Sequence, residues 1–381
     1  MIHRILVLLL LALPGAPAVA HDPSAWGGTY RTRDFGQSWL SADAGLFIGG
    51  SLDLAVSPTD SNHLLYATDT RLLRSRNGGR DWVQEAPAQF YGPTLAVAFL
   101  ADGKGAIAAN AAGVFRSEDG TSWQPAAIPD IALPVRRLAV TASRVFALGA
   151  RGVFVSSDQG RTFQRVGAHV LPEQAASGIA VQRDAMQSIW IASAGDLFRS
   201  GDGQEWSGSM AGLPKGRVEA VFADPSNPRR LWCAGADQIF LSDDDGSTWR
   251  AMGRPLPDPG TSIRALAVDA TGQIILLATH RGLLRSADGG NSWSFVEGGT
   301  LPVHLEAGVL RGDPNAAQVW YVGFSLMPYA EVWRRAEEGT NLLSQVDPLS
   351  LAGLAAFLVL LLIGGALLAR HLSRAQRLRA P

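Results

Sequence analysis

Cysteine is nearly missing: Cys233 stands alone in 381 residues. One thiol forms no intrachain disulfide and builds no cysteine-based metal site. Stability must therefore come from the size of the core. Cys233 lies in Leu231-Trp232-Cys233-Ala234, a strand-like run, and reads as a small buried apolar side chain. Lysine is almost as scarce, with only Lys104 and Lys215. Histidines are few, and His63, His169, His280 and His304 lie far apart, without the spacing of metal ligands. Asp243-Asp244-Asp245-Gly246 lacks the spaced ligands of a calcium loop. No phosphate-binding glycine loop leads from a strand into a helix. The sequence thus offers no frame for a metal or a cofactor.

Long apolar runs are confined to the two ends. His3 and Arg4 precede nine apolar residues, Ile5 to Leu13, then Pro14-Gly15 and Ala18-Val19-Ala20. That order is the signature of a cleaved secretory signal over 1–20. Leu349 to Ala369 holds 21 residues without a charge. As a helix it measures about 31 Å, the thickness of a bilayer core. Arg370, His371, Arg374, Arg377 and Arg379 follow, and positive flanks stay cytoplasmic. The expected layout is a signal (1–20), an exported domain (21–346), one transmembrane helix (349–369) and a basic cytoplasmic tail (370–381). This places the domain outside a bacterial inner membrane.

The five arginines of the signal and tail leave 28 of the 33 basic residues to face all 34 acids between them. A mildly acidic exported domain argues against nucleic-acid binding.

What is abundant is turn and aromatic material: 42 glycines, 21 prolines and 11 tryptophans, which suits many short strands joined by tight turns. One motif recurs: Ser or Thr, any residue, Asp, any residue, Gly, any residue, Thr or Ser, then an aromatic. Clear copies are Ser156 to Phe163, Ser242 to Trp249 and Ser286 to Trp293. Looser ones are Thr32 to Trp39 and Ser75 to Trp82, and Ser117 to Trp123 and Ser200 to Trp206 are one residue shorter. A worn eighth copy spans Arg335 to Leu342. The anchors Asp34, Asn77, Asp119, Asp158, Asp202, Asp244 and Asp288 fall 43, 42, 39, 44, 42 and 44 residues apart. A period near 42 is that of one four-stranded propeller blade.

The motif has a mechanical reason. Its carboxylate accepts hydrogen bonds from backbone N–H groups of the same turn. Its glycine takes a backbone angle other residues avoid. Its aromatic packs over the loop and starts the next strand. An apolar strand precedes each copy, for example Val153-Phe154-Val155 and Leu283-Leu284-Arg285. Thr29 to Ala42 supplies only the last two strands of a unit. Gly308-Val309-Leu310, Val319 to Val322 and Val332-Trp333-Arg334 supply the first three at the other end, so a blade shared by both ends closes the ring. The expectation is an all-β propeller of seven blades, or eight if the worn copy forms one of its own.

These boxes resemble the Asp-box, or bacterial neuraminidase repeat, superfamily over about residues 26–342. Its members include sialidases, sortilin-type receptors, xyloglucan-cleaving glycosidases and photosystem II assembly factors. The regular boxes, each after a strand such as Gly152-Val153-Phe154-Val155-Ser156 or Gly282-Leu283-Leu284-Arg285-Ser286, are most similar to the assembly factors. That resemblance implies a non-catalytic binding platform for assembly of a membrane complex. The C-terminal apolar run departs from it. A glycan-binding or sialidase-like glycosidase propeller is the alternative. A sialidase needs an Arg-Ile-Pro segment, an arginine triad and a Tyr–Glu pair. No Arg-Ile-Pro occurs, and Glu173, Glu219 and Glu306 stand as loose carboxylates without a frame.

In a propeller the box loops share one face with the loops joining strands one and two. The other face carries the loops between strands two and three and between blades. Arg71, Arg151 and Arg281 fall at matching positions there, with Tyr91, His169, His280 and His304 in neighbouring loops. They are the expected contacts for an acidic or carboxylate-bearing protein partner such as a membrane complex. A second set, Arg31, Arg74, Arg116, Arg199, Arg285 and Arg334, stands just before the boxes and reads as a repeated structural contact.

Overall fold

The structure, a computed structural model, describes residues 27–43, 45–181, 188–208, 211–224, 227–235, 237–296, 301–302 and 305–339. The signal, the apolar run at 349–369, the basic tail and His304 lie outside the described residues. Among those described, no helix is long and apolar enough to cross a membrane.

The strands form seven four-stranded antiparallel sheets. Six are built from consecutive strands. Blade 1 runs Ser51–Ser57, Asp60–Thr68, Leu72–Ser75 and Val83–Gln84, and blade 2 begins at Thr94–Phe99. Blades 3, 4, 5 and 6 begin at Arg137–Val140, Gly178–Val181, Ala220–Ala223 and Ile263–Val268. The seventh is shared: Glu306–Asp313 and Ala316–Ser325 from one end pair with Gly28–Thr32 and Leu40–Ser41 from the other. Tyr30 lies opposite Val322 in this seam, and Arg31 opposite Tyr321. The ring is therefore closed by hydrogen bonding between the two ends, and seven blades complete it.

Burial follows position in the blade. The second strands, such as Val145–Gly149, Ile189–Ser193, Leu231–Gly235 and Ile275–Thr279, are buried along their whole length. They are covered on both faces by neighbouring blades, which explains their continuous apolar sequence. Outer strands such as Val83–Gln84 and Ser294–Phe295 are two residues long and exposed, which blunts a free edge. Seven apolar clusters fill the seven joints between blades. Phe146, Leu148, Ile191 and Trp206 pack between blades 3 and 4; Tyr66, Leu73, Val309 and Tyr321 pack between blades 7 and 1.

Two sequence expectations are corrected. Val332-Trp333-Arg334 is not the third strand of the closing blade. It belongs to a nine-residue helix, α1, over Tyr329–Glu337. Gly28–Thr32 takes the third-strand place instead. Arg335 to Gly339 completes and follows α1, so the worn copy makes no eighth blade. The reason lies in the spacing of apolar residues. Val332 and Ala336, four apart, are buried against Leu52 and Leu95. Glu331 pairs with Arg334 and Arg335, and Arg334 pairs with Glu338, on the polar side. The α1 helix follows the second strand of blade 7 and so lies on the face of the interblade loops.

Candidate functional site

The boxes come first, because they account for most acids. In blade 3, Ser156 Oγ donates to Asp158 Oδ1 at 2.6 Å and Thr162 Oγ1 donates to Oδ2 at 2.7 Å. The backbone N–H groups of Arg161 and Thr162 donate to Oδ1 at 3.0 and 2.9 Å. Gly160 N–H donates to Ser156 Oγ at 2.8 Å, with Gly160 at φ +84°. Burial pushes the Asp158 carboxyl up, but hydrogen bonds led by Ser156 and Thr162 outweigh it and hold it down at about 2. Thr248 holds Asp244 at about 2, and Ser292 does so for Asp288. Asp34, Asp119 and Asp202 are lowered too. Asn77 makes the same turn with its amide oxygen, accepting from Arg80 and Asp81 N–H at 3.1 and 2.9 Å. The acid run beside Asp244 splits three ways: Asp243 pairs with Arg230 and Arg250, and Asp245 with Arg199 of blade 4.

The opposite face carries the α1 helix. Glu337 pairs with Arg136 at 2.5 Å. Glu306 accepts from Arg264 at 2.5 Å and from Tyr329 N–H at 2.8 Å. The Arg264 guanidinium stacks 4.1 Å from the Tyr329 ring. Between α1 and the interblade loops of blades 3 to 6 lies a groove of about 1140 Å³, walled by Tyr329 and Trp333 on one side and Arg137 and Arg217 on the other. It meets an axial channel of about 810 Å³ at Arg137, Ser177, Ala220 and Arg264, which line both.

Arg71, Arg151 and Arg281 occupy second-to-third-strand loops of blades 1, 3 and 6, so they are spread around the ring. Among the described residues no hydrogen bond or ion pair joins them. Arg71 faces Tyr91 across an isolated bridge, and Tyr91 is 91% exposed. Arg151 and His169 are exposed. Arg281 pairs with Asp258 at 2.9 Å, and His280 Nδ1 accepts from Ser262 N–H at 3.1 Å. Of the three loose carboxylates, Glu173 pairs with Arg165 and Glu306 with Arg264. Glu219 lines the groove, its carboxyl raised by desolvation. Sequence reasoning missed Arg137, Arg217, Tyr329 and Trp333 as neighbours. Only the helical spacing of Val332 and Ala336 signalled the wall that holds two of them.

Comparison with known proteins agrees with the fold. No family model matches the chain. It is 24% identical over 344 residues to a xyloglucanase of Hypocrea jecorina, which covers 79% of this chain and 38% of that protein. It is 24% identical over 189 residues to the photosystem II assembly lipoprotein Ycf48 of Synechococcus, covering 47% of this chain and 55% of that one. The chain thus spans about two fifths and about half of these curated relatives. Among solved structures, Ycf48 bound to a D1 peptide superposes with a TM-score of 0.54 at 18% identity, over 72% of this chain and 92% of its own. The GH74 xyloglucanase of Xanthomonas campestris superposes at 0.57 and 20%, over 74% of this chain and 54% of its own. The chain is a seven-bladed β-propeller. In this propeller the repeat residues build turns.

Proposed function

We propose that this propeller is a non-catalytic docking and assembly scaffold for an acidic protein partner, held on the outer side of a bacterial inner membrane. The observation that carries this reading is the division of labour between faces. The box carboxylates are consumed by hydrogen bonds within their own turns. The α1 face keeps an exposed aromatic, Tyr91, beside Arg71, and keeps Arg151 exposed. Exposed aromatics and arginines are the residues that carry binding energy at protein interfaces. Likeness to Ycf48 supports an assembly role, and the paired states of Glu173 and Glu306 weigh against a two-carboxylate hydrolase. The apolar ends support export and a single C-terminal span.

The test is crosslinking in the native membrane followed by identification of what is bound. A defined membrane-protein partner that is lost when Arg71, Arg151 and Arg281 are all changed to Ala supports the reading. Retention of that partner by the triple variant refutes the arginine contacts. The xyloglucanase likeness favours one rival, so a glycan array belongs beside this experiment. Specific glycan binding without a protein partner replaces the scaffold by a glycan receptor. A reporter fused after Pro381 that is active only in the periplasm overturns the topology.

A further inference from the structure

The groove beside α1 differs from the rest of the domain in charge. Acids outnumber bases between the two ends of the chain, yet the groove lining holds five arginines against three acids. Three of the five are already matched: Arg136 with Glu337, Arg264 with Glu306, and Arg334 with Glu331 and Glu338. Arg137 and Arg217 enter no ion pair among the described residues, and neither lies within ion-pair distance of the other two acids of the lining, Glu219 and Asp237. Arg137 stands at the start of a strand, and Arg217 in the loop that leads into blade 5. Arg137 pairs with Leu148 in blade 3. Arg217 precedes Val218, which bridges to Gly195 of blade 4. Across the groove stands Trp333, half-buried, its indole N–H turned away from solvent. The Tyr329 and Trp333 rings meet edge to face, 5.9 Å apart.

Resting on the scaffold reading, we propose that this groove seats an extended peptide segment of the partner that carries a carboxylate. Arg137 and Arg217 bind the carboxylate, with the charge-assisted geometry guanidinium groups favour. An apolar or aromatic residue next to the acid packs on the Tyr329–Trp333 wall, since one face of Tyr329 is already covered by Arg264. A peptide supplies both elements, carboxylate and apolar side chain, within a few residues; a neutral glycan lacks the first.

The experiment uses the full chain in lipid nanodiscs and an arrayed set of fluorescein-labelled nonapeptides. Each places one Asp or Glu at a set distance from one Leu or Phe, and each has an Asn or Gln counterpart. Acidic members with one preferred spacing are expected to bind, and their amide counterparts to bind at least about tenfold more weakly. Arg137→Gln, Arg217→Gln and Trp333→Ala each weaken binding about tenfold, while Arg80→Gln, in an exposed box turn on the other face, leaves it unchanged. Arg217 is exposed, so its variant carries the test if Arg137→Gln lowers the melting temperature. Absence of binding at millimolar peptide, or binding indifferent to Arg137→Gln and Arg217→Gln, overturns the proposal. Binding of a xyloglucan oligosaccharide with the same sensitivity overturns it in favour of a glycan. A partner crosslinked in the native membrane that survives Arg217→Gln but not the Arg71, Arg151 and Arg281 triple variant refutes the groove and spares the scaffold.

Discussion

Glu85 joins blade 1 to blade 2, and removing it tests how the ring is held together. Its carboxylate pairs with Arg74 and accepts from Trp123 Nε1 at 2.8 Å. Glu85 and Arg74 are each only 6% exposed. Removing one partner of a buried pair leaves the other charge uncompensated, at a cost of about 3–5 kcal/mol. The orphaned indole N–H adds about 1 kcal/mol. Glu85→Ala is therefore expected to destabilise by about 4–6 kcal/mol. Glu85→Gln keeps an acceptor for Trp123 and loses only the charge, so it falls below that figure. The double change Arg74→Met with Glu85→Gln removes both charges, and with them the cost of keeping them from water. It is expected to lie within about 1 kcal/mol of the parent, far from the sum of the single changes. Denaturant unfolding of 21–346 followed by tryptophan fluorescence measures each value. At about 2 °C per kcal/mol for a chain of this size, Glu85→Ala lowers the melting temperature by about 8–12 °C. If Glu85→Ala costs under about 1 kcal/mol, or the double variant is less stable than Glu85→Gln alone, the joint is not held by this pair.

Other outcomes follow from the same geometry. Gly160 sits at φ +84°, and a Cβ there would lie 2.8 Å from Ile107 Cδ1 of the neighbouring blade. Gly160→Ala is expected to cost about 1–3 kcal/mol by thermal melting, whereas Gly201→Ala, with open space around it, stays within about 0.5 kcal/mol. Two buried groups oppose each other in acid. Burial pushes Asp69 up to about 6, so it binds a proton on folding and loses stability as pH rises from about 4 to 6. Burial, helped by Arg76 and Arg74, pushes His63 down to about 4, so it sheds a proton on folding and loses stability as pH falls from 6.5 toward 4. Asp69→Asn removes the first effect, and urea unfolding of that variant is expected to show stability falling more steeply over this window than in the parent. An unchanged slope contradicts the assignment. Below pH 4 the lowered carboxyls of Asp158, Asp244 and Asp288 take over, and their contribution disappears as pH falls toward about 2.

The parts of the molecule that repeat were readable from sequence, and those that occur once were not. Seven boxes at a near-constant interval have one physical cause, a turn that satisfies itself, so the spacing carries the blade count. The repeat demands a third strand at Val332-Trp333-Arg334. The chain's own end, Gly28–Thr32, competes for that place and takes it. Residues 329–337 are thereby released to bury Val332 and Ala336 over Leu52 and Leu95. Local alternation over three residues cannot separate those outcomes, because the decision is made by a strand nearly three hundred positions away. The groove was hidden for the same reason: Trp333 comes to wall it together with Arg137 and Arg217 only once α1 forms.

The arginines that precede the boxes show how a repeat of turns becomes a ring. Arg31 of blade 7 donates to Gly78 O in the box of blade 1 at 2.8 Å, and Arg116 of blade 2 to Gln159 O in the box of blade 3 at 2.7 Å. Arg199 of blade 4 pairs with Asp245 in the box of blade 5, and Arg285 of blade 6 donates to Phe35 O in that of blade 7 at 3.4 Å. Each box aspartate fixes a turn within its blade, and each arginine ties the preceding blade to that turn. Arg74 reaches blade 2 by way of Glu85 and Trp123. In blades 3 and 5 the same position holds Val155 and Leu241, which are buried in the clusters joining blades 3 to 4 and 5 to 6. One site thus serves the joint either by a guanidinium reaching a carbonyl or by an aliphatic side chain leaving water. Because every such contact is between neighbours, stability accumulates joint by joint. The face bearing α1 takes no part in these box contacts; its interblade loops serve the joints separately, burying Phe90, Leu171, Leu213 and Leu256 in the clusters between blades.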